Sequence, residues 1–210
     1  MPRKTLYLLL AALLLFAGAR LYYNLTDDFK LSNISDSLPY NPAWEVPYTE
    51  ELRSTLEEAV AQPYHYIGKG AQVYAFASED GKYVLKFFKF KHLRPSLFIS
   101  SLPPFGPLKE FKAQNVARKE RKLQGVFEGH RIAYNHDKEN SGLIYIHLNL
   151  SDTLHLKAQL IDKIGRKHIV DLDKTVFVLQ KKGETLRTVL DNLMKQKDVK
   201  TAALRANQIL

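Results

Sequence analysis

The sequence predicts an α+β fold: a twisted antiparallel sheet with one long packed helix, preceded by an N-terminal membrane or signal helix. Three observations predict it. Aromatic and β-branched runs separated by glycine turns recur between residues 64 and 88 and again between 143 and 179. The stretch between them, Lys109 to Tyr134, repeats its apolar positions with helical period. An apolar run, Leu6 to Ala19, opens the chain. With 210 residues, 45% of them hydrophobic, the chain can bury a core, which excludes a mainly disordered protein. It has no cysteine, which excludes a disulfide scaffold, a thiolate zinc site and a cysteine nucleophile.

The N-terminal run follows Arg3 and Lys4 and is broken by Arg20. Its length suits the apolar region of a signal peptide, and Ala17-Gly18-Ala19 has the small-x-small form of a cleavage site. An uncleaved anchor is the other reading: Arg20 snorkels and Leu21, Tyr22 and Tyr23 finish the span at an aromatic interface. Either way the positive-inside rule keeps Arg3 and Lys4 cytoplasmic and sends the rest of the chain across. Residues 1–25 are this segment. Residues 26–62 read as a polar, proline-punctuated linker with one short helix, capped by Thr49, carrying Glu50 and Glu51 in its first turn and ended by Pro63. Three Asn-x-Ser/Thr triplets start at Asn24, Asn33 and Asn149.

Residues 63–182 form the body. Tyr64 to Ile67 reads as a strand entering Gly68-Lys69-Gly70-Ala71-Gln72-Val73. An Asp80-Gly81 turn then joins two apolar runs, the sign of a hairpin. Two glycines one residue apart let the backbone bend sharply and expose N–H groups, as a loop over a phosphate chain does. Lys86 interrupts an apolar strand, where an ammonium is costly to bury without an anion. On the following helix Val116, Leu123, Phe127 and Tyr134 align as one apolar stripe. Glu120 falls inside that stripe, so the two charges are expected to pair.

A glycine loop, a strand lysine and a helix glutamate in this order resemble the N-terminal lobe of the protein kinase fold. The resemblance spans Tyr64 to Lys195. It implies that the loop covers the phosphates of ATP, that Lys86 contacts the α- and β-phosphates and pairs with Glu120, and that Val73 covers the adenine. Gly68 and Gly70 match the first two loop glycines; the third is missing, the loop being one residue short or Gln72 standing in for it. Tyr83-Val84-Leu85-Lys86 matches the lysine strand. Gln180 to Leu186 resembles the hinge, and 183–210 the start of a helical lobe, with Thr185 as its cap. No His-Arg-Asp…Asn loop and no Asp-Phe-Gly occurs. His168 to Asp171 and Asp162 to Gly165 read as parts of a β-hairpin. The resemblance therefore implies nucleotide binding without phosphotransfer. No Gly-x-Ser-x-Gly elbow, His-Glu-x-x-His helix or P-loop is present, and the seven histidines show no metal-ligand spacing.

The charge of +9 is concentrated. Residues 86 to 131 hold eleven Lys/Arg against three Glu, a net +8. Such a stretch suits anionic lipid beside an anchor, a phosphate pocket or a protein partner. A membrane-directed chain makes nucleic acid the least favoured partner. Two functions follow: a membrane-associated, kinase-like domain that binds nucleotide, or a membrane-anchored interaction module whose basic helix contacts anionic lipid or a protein.

Overall fold

The computed structural model describes residues 3–184, 186–195 and 201. Helix α1, Arg3–Thr26, has 24 residues and none of its apolar window is covered by the rest of the chain. At ~1.5 Å per residue it is ~36 Å long, enough for a hydrocarbon layer of ~30 Å. A soluble core helix of this composition would be buried, and this one is not. The apolar character continues past Arg20 because the helix does.

The segment after α1 corrects the linker expectation for residues 26–62. Helix α2, Leu31–Ile34, a 3-10 turn at Pro42–Trp44 and helix α3, Glu50–Val60, all pack on the body. Phe29, Ile34, Leu38 and Trp44 are buried, and so is Leu56 of α3. Thr49 caps α3 as expected, accepting a hydrogen bond from the Leu52 N–H. The polar residues of this segment are engaged too: Asn33 donates to the Asp28 carbonyl, and Asn149 donates to the Asn41 carbonyl and accepts from its N–H. Two of the three Asn-x-Ser/Thr triplets are therefore tied into the fold at their asparagine.

The body is a seven-stranded curled sheet in the order β4-β7-β3-β2-β1-β5-β6. Its strands are β1 Tyr64–Lys69, β2 Val73–Ser78, β3 Tyr83–Phe88, β4 Leu143–His147, β5 Lys157–Ile161, β6 Lys167–Asp171 and β7 Phe177–Lys181. Every neighbouring pair is antiparallel except β1 and β5, which run parallel. The sheet is therefore mixed, not wholly antiparallel. The β5–β6 hairpin returns to the far edge of the sheet and docks on β1. The Asp80-Gly81 hairpin forms with Gly81 at φ 72°. Asp162 to Gly165 makes the β5–β6 turn and His168 to Asp171 lies in β6, as expected.

Between β3 and β4 come four helices: α4 Phe90–Leu93, α5 Leu97–Ser101, α6 Gly106–His136 and α7 Lys138–Ser141. The stretch from Pro95 to Pro107, with four prolines, thus contains α5. One sheet face carries Tyr64, Phe76, Phe87 and Phe177 against Phe29, Ile34 and α3. The other carries Phe88, Ile146 and Val178 against α6 and Trp44. The aromatic rings interlock: Phe127 of α6 lies 4.9 Å from Trp44 and 5.1 Å from Phe88. Helix α8, Leu186–Lys195, follows β7. Thr185, the expected cap of α8, and most of 196–210 lie outside the described residues.

Candidate functional site

The glycine turn between β1 and β2 is built as a bulge. Pairing of the two strands shifts between Tyr66 and Gly68, and Gly68 sits at φ 153°, open to glycine and strained for other residues. The Gly70 N–H closes the turn on the Val73 carbonyl at 2.9 Å. Val73 opens β2 and is half-buried beside the α6 face. The turn is also held from below by a residue the sequence reading passed over. Lys89 is 5% exposed, donates to the Gly70 carbonyl at 2.6 Å and lies 4.6 Å from the Tyr74 ring centre. Burial, together with the nearby Lys69, pulls its pKa down. An ammonium needs acceptors, and Lys89 finds a carbonyl dipole and an aromatic face instead of a carboxylate.

Lys86 sits on β3, opposite Ala75 of β2 and Val178 of β7. It therefore faces α6, as strand alternation requires. Its ammonium donates to the Gln180 side-chain oxygen at 2.5 Å, and the Gln180 amide donates to the Ser141 carbonyl at 2.6 Å. Burial lowers the Lys86 pKa. Glu120 is not its partner. It is exposed, it lies beside Arg94 and Leu38, and no ion pair joins it to Lys86 among the described residues. The helix explains why. Only Leu123, Val126 and Phe127 of α6 are buried, because α6 overhangs the sheet at its N-terminal end. The apolar stripe that carried Glu120 in the sequence reading leaves the core before it reaches that residue. The structure thus brings Gly68, Gly70 and Val73 together in one turn, places Lys86 on the same sheet, and leaves Glu120 outside.

A groove of 490 Å³ separates the turn from α6. Gln72 forms one wall, Gly125, Gly129 and Ala133 the floor, and Arg121 and Lys122 the rim. A second polar cleft of 330 Å³ lies where α1 meets the body. Tyr23, Asp27, Asp28, Lys69, Gly70, Lys89 and His92 line it. Here the end of α1 is tied to the body. Asp27 pairs with Lys69 at 3.2 Å and Lys163 at 3.1 Å, and accepts from the Tyr66 hydroxyl. Asp28 pairs with Lys91 at 2.6 Å. Both aspartates adopt left-handed backbone, φ 53° and 62°, which turns the chain from the helix onto the sheet. Burial would raise the Asp27 pKa, but the bonds from Lys163, Lys69 and Tyr66 outweigh it and hold the carboxyl below its ordinary range.

One cluster carries the residue types of a hydrolytic triad in the wrong order. His147 is buried, with Nδ1 on the Thr175 carbonyl and Nε2 3.0 Å from Ser151 Oγ. The Ser151 hydroxyl donates to Asp173. In a triad the imidazole bridges serine and carboxylate. Here serine is the bridge, and Asp173 also receives the N–H groups of Thr153, Leu154 and His155. The cluster staples the β4–β5 loop to the loop before β7. Among the described residues no group of three or more His, Asp or Glu is arranged to hold a metal.

No family model matches the chain, and neither a curated protein nor a solved structure matches it, so the reading of its function rests on the geometry above.

Proposed function

We propose that the chain is a membrane-anchored interaction module. Helix α1 crosses the bilayer and the α+β body presents basic helix α6 to a partner beside the membrane. The length of α1 is the observation that carries this reading. The helix runs unbroken through Ala17-Gly18-Ala19 to Thr26, 24 residues and long enough to span, instead of ending with a short signal-peptide apolar region. Asp27 and Asp28 then tie its end to β1, α4 and the β5–β6 turn. Carbonate extraction of membranes tests it. The full chain stays with the lipid pellet, and a chain starting at residue 26 is released. Release of the full chain ends the anchor reading.

A second reading keeps the likeness to a kinase small lobe. One observation favours it: the lysine of the third strand, Lys86, is half-buried, faces the long helix and meets a neutral amide instead of a carboxylate. An ammonium left without an anion is suited to a phosphate. On this reading Gly68, Gly70 and Val73 cover ATP, and phosphotransfer does not occur because the catalytic-loop and metal-binding motifs are missing. A fluorescent ATP analogue binds the wild type and not Lys86→Ala. Equal binding by both proteins eliminates the nucleotide reading.

A further inference from the structure

The half of α6 outside the core has an unusual surface. Together with α5 it forms a helical hairpin that packs on little else. Its tip exposes Leu97 (90%), Phe98 (69%) and Phe105 (69%), and Leu108 and Phe111 continue the apolar face along α6. The tip is a built element. The Ser96 hydroxyl caps α5 by accepting from the Ile99 N–H, and Lys112 reaches back across the hairpin to the Ser100 and Leu102 carbonyls at 2.7 and 2.9 Å. Large apolar side chains held out in this way mark a surface meant for an apolar medium.

Their position relates them to α1. Following α6 backwards from the core, Phe127 packs on Phe88 at the end of β3. Lys119 then donates to the His92 carbonyl of α4 at 2.9 Å. The neighbouring Lys91 pairs with Asp28, two residues beyond the end of α1. Lys119 thus lies on the side of the body where α1 ends. From Lys119 the helix runs another thirteen residues to Gly106, ~20 Å at ~1.5 Å each. Basic residues follow the apolar tip: Lys109 and Arg118 lie within this portion with Lys119, and Arg121 and Lys122 come next on its core side. Apolar residues at the end, Lys109 about one turn behind them and the other cations about four turns behind match a leaflet entered at a slant, with acyl chains below and phosphates above.

We infer that the α5–α6 hairpin is a second membrane contact, entering the same anionic leaflet that α1 crosses, with Leu97, Phe98 and Phe105 among the acyl chains and Lys109, Arg118, Lys119, Arg121 and Lys122 at the phosphates. The inference rests on the anchor reading and adds to it. One helix leaves the body free to rotate about the membrane normal and to tilt; two contacts hold it in one pose.

The absence of cysteine makes the test direct. Single-cysteine variants Leu14→Cys, Phe98→Cys and Lys157→Cys of the full chain, labelled with an environment-sensitive fluorophore, are reconstituted into phosphatidylglycerol-containing vesicles. Leu14 reports α1, and exposed Lys157, at the start of β5 and away from the β5–β6 turn, reports the body. The inference expects a blue-shifted emission, quenched by lipid-borne nitroxide, at both Leu14 and Phe98, and a water-like emission at Lys157. A blue-shifted Phe98 supports the hairpin contact whatever Leu14 shows. A lipid-exposed Leu14 with a water-like Phe98 overturns the inference, leaves the anchor standing and points to a protein partner for this face. A water-like emission at both positions overturns both. Phosphatidylcholine vesicles separate charge from apolar insertion: equal quenching at Phe98 on both lipids overturns the role given to the basic residues.

Discussion

An ammonium on the third strand of a sheet is desolvated by its neighbours, and Lys86 meets only a neutral amide in return. That arrangement is costly to stability and suits a ligand anion. Lys86→Met keeps the aliphatic stem and removes the charge. The expected outcome is a thermal midpoint unchanged or raised, equivalent to roughly 0–2 kcal/mol of added stability; a fall of several degrees in a circular-dichroism melt shows instead that the Lys86–Gln180–Ser141 chain supports the fold. Asp173 is the opposite case. Burial alone would raise its pKa, but the Ser151 hydroxyl and three backbone N–H groups outweigh that effect and bring it to about 2, against 3.8 for a free aspartate. A carboxyl whose folded pKa is depressed contributes stability above its unfolded pKa and loses it as pH falls toward the folded value. The Asp173 contribution is therefore complete above about pH 4 and disappears between there and pH 2. Asp173→Ala leaves three N–H groups near Leu154 without an acceptor. It costs roughly 2–4 kcal/mol at neutral pH, and chemical denaturation at pH 7 and pH 3 shows a smaller gap from wild type at the lower pH.

At the scale of elements, the segment after α1 decides how the body is mounted. Phe29 packs edge-on against Tyr74 and Phe76, with ring centres 5.2 and 5.1 Å away. If residues 27–48 belong to the fold, Phe29→Ala opens a cavity under the sheet and costs roughly 3–5 kcal/mol. Phe98→Ala, on the exposed hairpin, changes stability by less than about 0.5 kcal/mol. Equal, small effects at both positions contradict the packing described here. This segment was illegible in the sequence for a physical reason. Phe29, Ile34, Leu38 and Trp44 follow neither period 2 nor period 3.6, and what buries them is a sheet assembled from residues far downstream. The parallel pairing of β1 with β5 was illegible for the same reason. Thr49, the Asp80-Gly81 turn and the helical period of α6 were legible because each acts within a few residues of itself. Glu120 lies between these cases. Its angular position on α6 was readable, but how far α6 overhangs the sheet depends on where β3 ends and α4 begins. The exposed hairpin announced itself only as a basic, aromatic stretch; that its apolar residues gather at the tip required the fold of α5.

For the whole molecule, the governing quantity is where the charge lies relative to α1. Nearly all of the net +9 falls in residues 86–131, and the structure gathers much of that stretch in α4 and the overhanging half of α6, next to the end of α1. A body that approaches a leaflet through this side is attracted electrostatically over about one Debye length, ~10 Å at 0.1 M salt and ~3 Å at 1 M. A chain starting at residue 26 keeps the core, because the rest of the chain covers none of the apolar window of α1. Such a chain is expected to float with phosphatidylglycerol vesicles at low salt and to remain partly bound at 1 M, where the apolar tip still holds it. The triple variant Arg118→Glu, Arg121→Glu, Lys122→Glu loses the low-salt binding and leaves the melting temperature in place, since all three side chains are exposed. Binding that survives this charge reversal at low salt, or that disappears completely in the wild type at 1 M, removes one of the two forces from the account: the first outcome removes the electrostatic attraction, the second the apolar insertion.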